Sequence, residues 1–234
     1  MHLLVFQHSA GEPPAAFGEH AKIAGDEVTV VRLFEGARIP KLNAYDGLLV
    51  MGGPMDVWDI DTHPWLTPEI AAIKEWVDTG KPYLGICLGH QLLAEATGGT
   101  CARMAVPEIA VADVRLFDAE DPIAAALPQR FLAMHWHGVE VKDTPENTVV
   151  LGRSAGCANQ FMRVGENAWG LQFHPELQSG TITQWMQDSG NVACASDWLG
   201  SEAEAWEFVE ASEQQVESFL ERSRAIYQRF RALC

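Results

Sequence analysis

Residues 84–93 read Leu-Gly-Ile-Cys-Leu-Gly-His-Gln-Leu-Leu, an apolar strand that runs without a linker into a helix, with a glycine two residues either side of one cysteine. The glycines permit a tight turn and close backbone approach, so the side chain at the apex stands out in a strained position. A strand that hands over directly to a helix is the building unit of a parallel sheet covered on both faces. The preceding sequence repeats the theme. Apolar runs at 3–7, 27–34, 45–51 and 83–86 alternate with helical patterns at 13–24, 68–79 and 88–96. The expected fold is α/β, a mostly parallel central sheet flanked by helices.

Beyond residue 100 the pattern changes. Short β-like runs at 109–117, 131–135, 148–151, 159–164 and 168–173 are separated by Pro, Gly and Asn turns. They are expected to extend the sheet with partly antiparallel strands, followed by a short helix at 181–187. The tail opens with Ser201-Glu202-Ala203-Glu204, a capping box, and apolar residues recur at Val209, Val216, Phe219, Leu220, Ile226, Phe230 and Leu233. That predicts an amphipathic helix broken once. The expected organisation is a main domain over 1–190 and a helical extension over 191–234 packed on it, with a homodimer or partner interface as the rival use of the tail.

Composition narrows the function classes. The chain carries 32 acidic and 16 basic residues, a formal charge of -16. Nucleic-acid affinity is supplied mainly by Lys and Arg on phosphates, so no nucleic-acid partner is expected. The apolar runs are short and no basic, apolar leader is present, so neither a membrane span nor secretion is expected. Cys87, Cys101, Cys157, Cys194 and Cys234 form no Cys-x-x-Cys pair. Neither a disulfide framework nor a zinc knuckle is indicated, and the expected compartment is the reducing cytoplasm.

Cys87 differs from the other four, which read as buried structural thiols. It sits at the apex of the turn and at a helix N-terminus, where unpaired N–H groups favour a thiolate. The amide of Leu88 is directed at the same spot and can serve as an oxyanion donor. A thiol nucleophile needs a base, and the base needs a group to orient it. Gly170-Leu-Gln-Phe-His-Pro-Glu176 supplies both, because His174 and Glu176 face one side of an extended segment that Pro175 ends. Alone, that pair is a weak signal; coupled to the turn at Cys87 it is a strong one.

Four segments in order carry a family resemblance: Met51-Gly-Gly-Pro-Met55, residues 84–93, His135-Trp-His-Gly138 and residues 170–176. The chain resembles the class I, triad-type glutamine amidotransferases, especially stand-alone proteins similar to the glutaminase domain of GMP synthase. The resemblance implies a flavodoxin-like fold and no cofactor. It implies that Cys87 attacks the glutamine side-chain amide, that His174 moves the proton, and that Glu176 orients His174. It further implies an oxyanion hole from the amides of Gly53 and Leu88, with Gly52, Gln91 and the segment Trp136, His137, Gly138 and Val139 holding the small-molecule substrate. A γ-glutamyl thioester on Cys87 would then be released by water.

Two departures bear on substrate. Val139 stands where such relatives commonly carry an acid. Nothing in the chain resembles an ATP-pyrophosphatase domain, so the ammonia would pass to a separate synthetase or other acceptor protein, or hydrolysis itself would be the function. The rivals are a γ-glutamyl peptidase with the same triad and a non-catalytic regulatory protein. A metal enzyme is a further rival, since His135 and His137 share a face and His63 and His90 are available. No carboxylate stands at ligand spacing, so no metal is expected and the segment reads as a strand end lining the pocket. His2, His8 and His20 read as surface or satisfied polar groups. Trp58 and Trp136 are the tryptophans expected near the site.

Overall fold

A computed structural model describes residues 1–234 apart from Ala119, Asp188 and the side chain of Ser189. Among the described residues nine strands form one sheet. In chain order they are β1 (His2–Gln7), β2 (Glu27–Arg32), β3 (Gly47–Val50), β4 (Tyr83–Ile86), β5 (Thr100–Leu116), β6 (Arg130–Asp143), β7 (Thr148–Arg153), β8 (Phe161–Val164) and β9 (Ala168–Leu171). The spatial order is β2-β1-β3-β4-β9-β8-β7-β5-β6. Strands β2, β1, β3, β4 and β9 run parallel, while β9-β8-β7-β5-β6 is antiparallel.

Period-two alternation divides the core between the two faces. Leu3, Val5, Leu49, Leu84 and Ile86 pack with Trp169 and Leu171 on one face. Helices α1 (Ala15–Ile23) and α7 (Val216–Leu233) cover it, and α7 contributes Ile226, Tyr227 and Phe230 to that core. Leu4, Phe6, Leu48, Val50 and Tyr83 point to the other face, under α2 (Leu66–Asp78) and α3 (Leu88–Ala96). A third cluster joins Ile109 and Met134 to residues of α4 (Thr181–Trp185), α5 (Ser189–Leu199) and α6 (Glu202–Glu213).

The tail helix breaks at Gln214-Gln215, and Ser201 Oγ accepts from the Glu204 amide, as a capping box requires. Its far end is tied down by Asp26, which accepts from Tyr227 Oη and Arg231 Nε at 2.8 and 2.7 Å.

Three elements differ from the sequence reading, one being β6, expected over 131–135 and observed to run on to Asp143. β5 begins nine residues earlier than expected, because Pro107 reads as a breaker. The ladder is irregular between Arg103 and Glu108, where a residue without an N–H costs no hydrogen bond. α5 has no counterpart in that reading, since its Ser, Gly and Asn have weak helix propensity and tertiary packing decides its state. Among the described residues no helix is long and apolar enough to cross a membrane.

Candidate active site

Parallel β4 and β9 are neighbours, with Ile86 opposite Leu171. Their C-terminal ends therefore deliver Cys87 and the 172–176 segment to the same edge of the sheet, where parallel α/β folds place their sites. The turn at Cys87 is as tight as its sequence demands. Cys87 has φ 48° and ψ -99°, a strained conformation for a residue with a Cβ. A methyl on Gly85 would overlap the Gly89 carbonyl, and one on Gly89 would overlap the Val50 carbonyl. The two glycines let β4, α3 and β3 touch through backbone alone, and Cys87 is what remains at the apex. Its amide donates to the Leu171 carbonyl at 2.7 Å, tying the turn to β9.

His174 Nδ1 lies 2.7 Å from Glu176 Oε1. Both side chains are buried, and the imidazole rests edge-on against Trp185, 5.3 Å between ring centres. Burial opposes a charged imidazole, but the Glu176 carboxylate and the Cys87 sulfur outweigh it and hold the His174 pKa well above its ordinary value. The second ring nitrogen is thus left to the sulfur. Gln172 Nε2 also reaches Cys87 Sγ, at 3.5 Å.

These groups open into a cavity of about 630 Å³. Of the residues named from sequence, Gly53, Cys87, Gln91, Trp136, His137, Gly138, Val139 and His174 line it. Leu88 and Glu176 stand behind its wall, both buried. Gly52 is not among the lining residues; its carbonyl oxygen faces His8 Nδ1. Trp58 does not line the cavity itself but sits near its Asp56 edge. It is exposed at 40% and packs beside Arg103, which pairs with Asp56. Gln91 Nε2 is held by the Val139 carbonyl and Gln172 Oε1, each at 3.2 Å.

Several wall residues escaped the sequence reading. Gln184, Trp185, Asn191 and Cys194 of the 181–199 region close one side, and no local motif announces them. Glu12 closes another. Its carboxylate and His174 Cε1 fill the space a side chain at Gly52 would need. Among the described residues no hydrogen bond or ion pair engages that carboxylate. Burial raises its pKa to about 7, with His174 opposing the rise and Glu176 adding to it.

A pH dependence of stability follows. The ordinary value is 4.5, so the folded state retains a proton that the unfolded chain releases between about pH 4.5 and about pH 7. Stability contributed by Glu12 therefore falls as pH rises through that window. The expected result is that Glu12→Gln matches wild type near pH 4 and exceeds it near pH 8 by about 3 kcal/mol. Urea unfolding at the two pH values reads the difference, and parallel curves would refute it.

The histidine pair on β6 has a partner that spacing hid. Antiparallel register sets Glu108 opposite His137 and near His135, and one ligand atom from each lies within 4.8 Å of the others. Two imidazoles and a carboxylate would suit a divalent metal. Here Glu108 Oε2 accepts from Ser154 Oγ at 2.8 Å and Gln160 Nε2 at 2.7 Å, while His135 Nδ1, 3.8 Å from that oxygen, has no hydrogen-bond partner among the described residues. His135 is fully buried in mid-strand, with its pKa pushed down to about 4 by burial, and does not line the cavity.

The comparisons with known proteins follow the same geometry. The family model described as glutamine amidotransferase class-I matches residues 20–190. A glutamine-hydrolyzing GMP synthase of Thermomicrobium roseum is 32% identical over 186 residues, 77% of this chain but only 32% of that protein. The glutamine-hydrolyzing GMP synthase subunit of Saccharolobus solfataricus is 35% identical over 141 residues, 60% of this chain and 72% of that one. The crystal structure of a glutamine amidotransferase from Thermotoga maritima superposes with a TM-score of 0.87 at 23% identity, over 98% of this chain and 97% of that one. At that identity the likeness is one of fold.

Proposed function

The chain belongs to the class-I glutamine amidotransferase family, and from that premise we propose that it hydrolyses a γ-glutamyl amide, in the first instance the side-chain amide of glutamine. The observation that carries this is the strained Cys87 turn opening, with His174, into one cavity while Glu176 grips the far nitrogen of His174.

In this reading His174 takes the Cys87 proton as sulfur attacks the amide carbon. The amides of Gly53 and Leu88 receive the developing oxyanion. His174 then gives its proton to the departing nitrogen, and ammonia leaves. Water, deprotonated by the same imidazole, cleaves the γ-glutamyl thioester, and glutamate and free Cys87 result. Gln91 and the backbone of residues 136–139 hold the α-amino and α-carboxylate groups. The ammonia is then free to pass to an acceptor.

A second reading, a γ-glutamyl peptidase using the same triad, is favoured by one feature. Val139 lines the cavity with an apolar side chain where such relatives commonly carry an acid, a departure from the pattern of the glutamine-specific members. The two readings differ only in the leaving amine. Mass-resolved products from glutamine, γ-glutamyl dipeptides and glutathione separate them, with Cys87→Ala as the blank. No Cys87-dependent product from any of the three would overturn both.

Glu176 has its own expected signature. Glu176→Gln lowers kcat by roughly 10³-fold, because the imidazolium loses its stabilising charge. Labelling of Cys87 by a glutamine-analogue electrophile survives better than in His174→Ala, which removes the base. Equal loss in the two variants would contradict the orienting role.

A further inference from the structure

His8 follows β1 and is enclosed on all sides, with 0% of its side chain exposed. Both ring nitrogens are engaged. Nδ1 lies 2.8 Å from the Gly52 carbonyl oxygen, and Nε2 lies 2.8 Å from Glu69 Oε1 on α2. A carbonyl oxygen only accepts, so Nδ1 carries a proton and donates it. Glu69 is equally buried, and Trp65 stacks on the imidazole with 11° between planes. Burial opposes charge on His8, but Glu69 and the Gly52 carbonyl overcome it and raise the pKa.

The Gly52–Gly53 peptide is the one that matters to the cavity. Among the described residues no peptide bond is cis. In a trans peptide the carbonyl of one residue and the N–H of the next point in opposite directions. Holding the Gly52 carbonyl at His8 therefore turns the Gly53 N–H away from His8, on the residue that lines the cavity beside Cys87. A peptide between two glycines is the easiest to turn over, so its orientation needs an external hold.

We propose that His8 and Glu69 are positioning residues that hold the Gly52–Gly53 peptide with its N–H toward Cys87, so that the oxyanion donor is preset by this chain without a partner protein. Glu69 fixes the rotation of the imidazole, His8 fixes the carbonyl, and the carbonyl fixes the N–H. The assignment rests on the thiol-triad reading above.

The test uses purified full-length protein, with no partner added, and two substitutions of matched shape. His8→Leu removes the donor, whereas His8→Asn keeps an N–H close to the place of Nδ1. In His8→Leu, kcat on the γ-glutamyl compound that wild type cleaves best falls roughly 10²-fold, while KM and the rate of Cys87 alkylation by iodoacetamide stay within roughly twofold. His8→Asn recovers to within roughly tenfold of wild type. Glu69→Gln gives the same split with a smaller loss, and serves where His8→Leu does not fold. Unchanged kcat in His8→Leu overturns the assignment, as does a parallel fall of kcat and alkylation, or His8→Asn performing no better than His8→Leu. A wild type that alkylates at Cys87 yet cleaves none of the compounds overturns the preset donor. One that does not alkylate at Cys87 overturns the triad reading itself.

Discussion

Cys87→Ser is expected to release product from γ-glutamyl compounds at least roughly 10⁴-fold more slowly than wild type. The substitution changes one atom, and the glycines that shape the turn are untouched. What changes is the nucleophile. A thiol ionises near pH 8.5 in water, about where a strengthened imidazole can take its proton, whereas a serine hydroxyl is far less acidic. His174, whose hold on a proton is strengthened by Glu176 and the sulfur, is matched to a thiol partner. With serine that pairing is lost, and covalent capture of a glutamine-analogue electrophile should disappear with it. Steady-state turnover and intact-protein mass are the two readouts. Turnover within tenfold of wild type would mean that Cys87 is not the nucleophile, and the function proposed here would fall.

Gly89→Ala is expected to lose stability and activity together. A methyl at that position would overlap the Val50 carbonyl, which β3 cannot withdraw without breaking its register with β4. Overpacking against backbone costs about 3 kcal/mol, and the better helix propensity of alanine returns about 1 kcal/mol. The net loss of about 2 kcal/mol lowers Tm by about 4–8 °C in a chain of this size. The strain has one outlet, a shift of α3 and with it Cys87, and misplacement by about 1 Å costs roughly 10²-fold in rate. Thermal unfolding and kcat measured on the same preparation test both halves. An unchanged Tm would show that the turn is looser than its contacts imply.

These two predictions come from residues that announced themselves. The run 84–93 contains its own explanation, since strand, glycine, cysteine, glycine and helix are adjacent and their constraint is local. His174 and Glu176 were legible for a similar reason, because two positions apart in an extended segment suffices to bring them to one side. Alternation in the first hundred residues made the parallel half of the sheet readable, as period-two burial on two faces leaves continuous apolar runs.

The remaining features depend on distances along the chain that no local pattern spans. His8 reads as an unremarkable polar residue until the parallel pairing of β1 with β3 sets it beside Gly52, and α2 brings Glu69 against its other nitrogen. Glu12 is one acid among many until it proves to border both Gly52 and His174. Glu108 joins His137 only through antiparallel register, which a one-residue slip would undo. The 181–199 region gives no sign that it walls the cavity. Local chemistry, which lies in backbone freedom and in side-chain identity at short spacing, was determined by the sequence alone. The environment of that chemistry was decided only by the tertiary structure, because hydrogen bonding and desolvation act between neighbours in space, whatever their separation along the chain.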